Sequence, residues 1–270
     1  MWPFSPRPPR VALLRLSGLI AARTGGFGTP TISDAATGPL IERAFRIKRL
    51  AALVLVVNSP GGSPVQSALV ARRIRRLADE KRVPVIACVE DAAASGGYWL
   101  AAAADEILVD PASIIGSIGV ISAGFGFQDA LARIGVERRL HTAGAQKSFL
   151  DPFRPESTEE VERLRGLLGQ LHEVFKAEIR ARRGAKLKAP EAELFTGRFW
   201  TGARAVELGL ADRIGDAAGE IRARFGDKAR VIRIGDRSPP WPLRLFSASG
   251  LAEGALAAAE ERAAWARLGL

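Results

Sequence analysis

Cysteine and histidine are almost missing from this chain of 270 residues, which holds one Cys (Cys88) and two His (His141 and His172). A single cysteine cannot form an intramolecular disulfide, and without a Cys/His cluster a zinc site has no ligand set to build on. Cys88 lies in the apolar run Val83–Val89, where a thiol reads as buried and inert. Long apolar runs are missing too. A membrane-spanning helix needs about 20 apolar residues, and Val11–Ile20 is short and broken by Arg15. No stretch joins an apolar core to a small-residue end as a secretory signal does. The expectation is a cytoplasmic protein without signal peptide or transmembrane helix, in contact with a membrane only peripherally. No cofactor motif is present, so no cofactor is expected.

The net charge is +10, from 39 Lys and Arg against 29 Asp and Glu. The excess is spread along the chain with no long Lys/Arg tract and no nucleic-acid motif, so it reads as a basic solvated surface and nucleic acid is not an expected partner. Hydrophobic residues make up 47% of the chain, enough to bury a sizeable core. Three regions are expected: a Pro-rich flexible arm over 1–10, a folded domain over 11–235, and a Pro-containing linker with a C-terminal helix over 236–270.

Hydrophobic spacing sets the elements. Val11–Ile20 reads as a strand, Arg23–Pro39 as a loop and Leu40–Arg49 as a helix. Leu50–Val57 is a nearly unbroken β-branched run, hence a fully buried strand. The turn Asn58–Ser63 leads into an amphipathic helix over Val65–Glu80 with Leu69, Ile74 and Leu77 inward. The unit then recurs: a buried strand over Val83–Val89, a turn over Glu90–Ala94, an Ala-rich helix over Ser95–Ala104 and a short strand over Glu106–Val109. This alternation predicts an α/β fold with parallel strands. Ile114–Ser122 reads as strand, Leu131–Ile134 as helix, Val136–Leu140 as strand and His141–Pro155 as a long connection. Ser157 and Glu160 have capping-box spacing at the start of a long amphipathic helix ending near Arg183. Thr201 caps a short helix ending at Gly209, Val231–Ile234 is a last strand, and Leu251–Leu268 is Ala-rich and helical.

Two turns lie at the carboxyl ends of neighbouring apolar strands, the edge where open α/β sheets build their sites. Gly61-Gly62 lets backbone N–H groups approach a substrate closely. Ser95-Gly96-Gly97 puts a serine at a helix start, beside free N–H groups, so one N–H from Gly62 and one from Gly96 would make a two-donor oxyanion hole. Alone, each piece has a plainer meaning: serine is a standard N-cap, and a glycine pair is a turn. A serine nucleophile needs a base. His172 falls on the polar side of the long helix, and His141 opens a loop. Lys147, the only lysine between Lys81 and Lys176, lies in the loop Gly144–Ser148, where by itself it is a surface lysine. A free lysine titrates near pH 10.4, so a lysine base must be desolvated to work near neutrality. Ala143, Ala145 and Phe149 around it are uncharged, and a catalytic Lys147 is expected to be buried.

Four ordered motifs, Asn58-Ser59-Pro60-Gly61-Gly62, Ala94-Ser95-Gly96-Gly97-Tyr98, Gly116-Ser117-Ile118-Gly119-Val120 and Gly144-x-x-Lys147, resemble the signal peptide peptidase A family of S49 serine peptidases. So does Gly197-Arg198-x-x-Thr201-Gly202-Ala203-x-Ala205-x-x-x-Gly209-Leu210-Ala211-Asp212. The resemblance spans about residues 11–215. It implies a ClpP/crotonase-like fold with flanking helices and a Ser–Lys dyad: Ser95 as nucleophile, Lys147 as general base, Gly62 and Gly96 as oxyanion donors, and Ser117 orienting the lysine. It implies peptide substrates, such as signal-peptide remnants or misfolded proteins. It also implies a ring-like homo-oligomer with active sites at subunit interfaces. Tyr98 and Trp99 are expected to pack the nucleophile helix.

Three other readings share the fold. A His-dependent ClpP-like peptidase needs a histidine soon after the nucleophile helix, and residues 96–140 contain none. A crotonase-type acyl-CoA enzyme would use the same N–H pair without needing Ser95. A non-catalytic ring scaffold would use neither.

Overall fold

The computed structural model describes residues 7–22, 31–144, 146–235, 259 and 261–270. The chain divides into two compact units, residues 1–119 with 175–270, and residues 120–174. In chain order the elements are β1 (Arg10–Ser17), α1 (Asp34–Phe45), β2 (Leu50–Ser59), α2 (Pro64–Lys81), β3 (Val85–Ala94), α3 (Gly96–Ala102), β4 (Glu106–Val109) and β5 (Ile114–Gly116). Then come α4 (Gln128–Arg133), α5 (Thr158–Arg183), α6 (Glu191–Leu194), β6 (Phe199–Thr201), α7 (Gly202–Glu207), β7 (Arg213–Ile214), α8 (Ala217–Phe225) and β8 (Arg230–Ile234).

The first unit is built on one sheet of order β6-β5-β3-β2-β1-β8, with β4 pairing β3 and β7 alongside. Every pairing is parallel except β5 with β6. β2 shows why: Leu53–Val57 are at most 4% exposed, so both strand faces must be covered. Alternation along β1 divides the core. Ala12, Leu14 and Leu16 join the large cluster with Ile41, Ile74, Tyr98 and Leu100 from α1, α2 and α3. Val11 packs on the other face with Val54, Cys88 and Ile221, the last from α8. The α/β expectation holds.

Several boundaries differ from the sequence expectation. The loop expected through Pro39 is helix from Asp34 on, because Ser33 caps it by accepting from Ala36 N at 3.2 Å and Pro39 is accommodated inside α1. The turn expected over Glu90–Ala94 is the second half of β3, where Ala92–Ala94 pair with Ile114–Gly116. Strand β5 stops at Gly116, well short of Ser122, and Val136–Leu140 is not a strand. The capping box does not form as expected: Glu160 instead accepts from Leu150 N at 3.4 Å and pairs with Arg154. Most of the N-terminal arm and the Pro-containing linker lie outside the described residues. Of the C-terminal helix, residues 259 and 261–268 are described; 259 and 261–266 are helical and 267–268 are a turn.

Cys88 is 3% exposed, and burial, reinforced by the Glu220 and Asp216 charges, pushes its thiol up to about 12. A thiolate is the reactive form. The native protein is therefore expected to show almost no reaction with a disulfide reagent at pH 8, and one equivalent after denaturation. Stoichiometric labelling of the native protein would contradict that packing.

Candidate active site

The parallel sheet brings the ends of β2, β3 and β5 to one edge. Asn58 ties two of them, donating to Asp91 Oδ2 at 2.6 Å and accepting from Ala92 N at 3.1 Å. Ser59 is buried; its Oγ donates to the Gly18 carbonyl at 2.7 Å and accepts from Gly61 N at 3.2 Å, fixing the turn that follows. The Ser59 and Asn58 contacts were missed from sequence, where both residues read simply as part of a turn.

Gly62 has φ +138°, and a Cβ there would overlap the Ile20 carbonyl oxygen, which already accepts from Ser63 N at 2.8 Å. Only glycine meets both conditions. A Cβ on Gly61 would lie 2.8 Å from Ser95 Cβ, and one on Gly96 would overlap Ser67 Oγ and lie 3.4 Å from Gly62 N. The two glycine turns are thus packed backbone against backbone. Among the described residues neither the Gly62 nor the Gly96 amide N–H donates a hydrogen bond. Gly96 is a buried residue, and an unpaired amide in such a place is a group held ready for an acceptor.

Ser95 stands between them at φ 51°, ψ −121°. For a residue with a side chain this backbone costs on the order of 1–3 kcal/mol and persists only when its surroundings impose it. Its N–H donates to Gly116 O at 2.8 Å and its carbonyl accepts from Trp99 N at 3.1 Å. The plain capping role does not apply, since the side chain makes no cap hydrogen bond. Half-buried, the Ser95 hydroxyl has no partner among the described residues. Ser117 is adjacent through Gly116. It too has positive φ, 53°, and its N–H donates to Arg198 O at 2.7 Å. The β6 segment of the Gly197–Asp212 motif therefore fixes the Ser117 backbone.

These four residues share one edge of the first unit. Lys147 belongs to the second. Its loop is tied to α5: Arg163 donates to Gln146 Oε1 at 3.0 Å and lies 5.2 Å from the Phe149 ring, and Arg154 donates to Ser148 O at 2.8 Å. Lys147 itself is exposed. Glu160 is the only buried residue among those described in its unit, so within one chain that unit offers no dry interior to desolvate an ammonium. His172 is half-buried on α5 and His141 is exposed. Among the described residues no cluster of three or more His, Cys, Asp or Glu could hold a metal, and no helix is long and apolar enough to cross a membrane.

The family model described as peptidase family S49 matches residues 77–225, more than half of the chain. Serine protease SPPA, chloroplastic, of Arabidopsis thaliana is 33% identical over 210 residues, 76% of this chain and 30% of that protein. A protein of Brucella melitensis named Na(+)/H(+) antiporter NhaA is 46% identical over 274 residues, 96% of this chain but 37% of its own length. The first curated relatives are matched over 30–51% of their length. Among solved structures, the 1510-N membrane-bound stomatin-specific protease superposes with a TM-score of 0.51 at 16% identity, covering 86% of this chain and 99% of that one. That likeness bears on the fold, which is α/β and ClpP/crotonase-like.

Proposed function

Since this chain belongs to peptidase family S49, we propose that it is a serine endopeptidase working through a Ser95–Lys147 dyad. The observation that carries the proposal is Ser95, strained at φ 51° with an unbonded hydroxyl beside two unused N–H groups. Ser95 Oγ attacks the scissile carbonyl of a peptide. The Gly62 and Gly96 N–H groups take the oxyanion that forms. Lys147, in its neutral form, accepts the serine proton and passes it to the leaving amine, and the Ser117 hydroxyl orients the lysine. Water then hydrolyses the acyl-enzyme. The acyl-CoA reading would leave the Ser95 strain without a use.

The exposure of Lys147 in the single chain favours a homo-oligomer in which a neighbouring copy covers it. So do the exposed apolar side chains of its unit: Ile121, Phe125, Ile134 and Val174 are each more than half exposed. Large exposed apolar side chains on one small unit are what a surface covered in an assembly would carry. In this proposal Lys147 of one subunit meets Ser95 of the next, and the interface desolvates the base.

The test is hydrolysis of casein and a short apolar peptide by the purified chain, expected to be blocked by a fluorophosphonate and unaffected by EDTA; inhibition by EDTA would oppose a Ser–Lys mechanism. Gly62→Ala keeps the N–H, but its Cβ would overlap the Ile20 carbonyl oxygen and push the turn and its N–H out of place; kcat should fall by about 10²–10³-fold, the scale of one lost oxyanion donor, with the overall circular dichroism spectrum kept. A Gly62→Ala enzyme of normal kcat would remove Gly62 from the mechanism.

A further inference from the structure

The Gly197–Asp212 motif supplies no group to the chemistry above, yet its last four residues grip the nucleophile helix. Arg183, at the end of α5, is 1% exposed, so its guanidinium is taken out of water. Its Nη1 donates to Asp212 Oδ2 at 2.8 Å and its Nη2 to the Gly209 carbonyl at 2.7 Å. Asp212 also accepts from Ile107 N at 2.8 Å and pairs with Lys186 at 2.9 Å, while its own N–H donates to Ile107 O at 2.8 Å. Gly209 has φ +77°, and a Cβ there would overlap the Lys186 carbonyl oxygen. The turn Gly209–Asp212 is thereby fixed to α5 on one side and to β4 on the other. From it hangs α3: the buried Tyr98 hydroxyl donates to Leu210 O at 2.8 Å.

Burying an ion pair is weak evidence for stability, because desolvation cancels most of the Coulomb gain. Geometry is the better explanation here. A seven-residue helix does not hold itself in place. Arg182 bonds the Ala102 and Ala104 carbonyls, Arg75 bonds that of Ala103, and Trp99 stacks on Phe175 with centroids 4.8 Å apart. Those contacts lie at or beyond the middle of the helix. Tyr98 is three residues from Ser95, and its hydroxyl, held by the Leu210 carbonyl beside Arg183, adds to the Ser95 N–H bond to Gly116 O in limiting how far the helix can rotate or slide beneath the serine.

We propose that Tyr98 and Arg183 are positioning residues, which act through the Leu210 carbonyl to hold Ser95 Oγ and Gly96 N–H in attack geometry. The proposal rests on Ser95 being the nucleophile. Such residues should control the rate of attack at Ser95 and not the binding of peptide.

The experiment uses the full chain, with Tyr98→Phe, which removes one oxygen from a buried ring, and Arg183→Lys, which keeps the charge but loses the two-pronged grip. For each, kcat, KM, the rate constant for fluorophosphonate labelling of Ser95, and Tm are measured. In both variants kcat and the labelling rate should fall together by roughly ten- to a hundredfold, the scale of a small misplacement, with KM within about twofold. Asp212→Asn, which weakens the grip from the other side, should move them the same way. Tyr98→Phe with a wild-type labelling rate, whatever its Tm, overturns the inference and leaves the nucleophile assignment standing. A wild-type chain that labels elsewhere than Ser95 overturns both.

Discussion

Replacing Ser95 with alanine should abolish hydrolysis, by at least about 10⁴-fold in kcat, and leave the fold intact. Both halves follow from the local structure. The hydroxyl makes no cap bond and has no partner among the described residues, so its removal leaves no acceptor or donor orphaned. Alanine carries the same backbone penalty at φ 51° as serine, so stability should change by less than about 1 kcal/mol. If serine were there only as a cap, the variant would lose stability and keep its turnover. Purified Ser95→Ala with an unchanged melting curve and residual casein turnover near wild type would end the assignment.

The second large effect concerns Lys147. Lys147→Arg and Lys147→Ala should be inactive to a similar degree, about 10²–10⁴-fold, the usual contribution of a general base. Arginine keeps the charge but does not release a proton in a usable range. Since Lys147 is exposed in a loop, neither change should unfold the chain. Mixing makes the test sharper. In a ring whose sites take Ser95 from one subunit and Lys147 from the next, an equal mixture of Ser95→Ala and Lys147→Ala subunits leaves about one site in four with both groups intact. Activity should therefore return on subunit exchange to about a quarter of wild type. Exchange verified by mass spectrometry with no recovery would exclude a shared site. A substantially active Lys147→Arg would make the lysine an electrostatic group and move the base elsewhere.

The chain's central strands were legible because Leu50–Val57 and Val83–Val89 are apolar runs bounded by turn residues, and burial on both faces leaves few alternatives. The end of β3 was not legible. Alanine favours neither state strongly, and Ala92–Ala94 are strand only because β5 pairs with them. Pro39 hid the first half of α1, since proline argues against a helix interior until the Ser33 cap is seen. The short edge strands β6 and β7 carry too few residues for any period to show. At the candidate site, the small residues were read as a backbone open to a substrate; the Cβ overlaps at Gly62 and Gly96 add that the two turns pack against each other. Two things lay beyond the sequence. The Ser95 backbone strain depends on Gly116 and α3 together. The desolvation that the proposed mechanism asks of Lys147 would come from whatever covers its unit, and no local pattern encodes that.

The most direct test of the account is the site of covalent attack. Intact mass after fluorophosphonate treatment of the native protein should show one adduct per chain, and peptide mapping should place it on Ser95, with Ser95→Ala and Gly62→Ala unlabelled or labelled far more slowly. A chain that hydrolyses peptides while Ser95 stays unmodified, or one whose adduct lies on another serine, would contradict it.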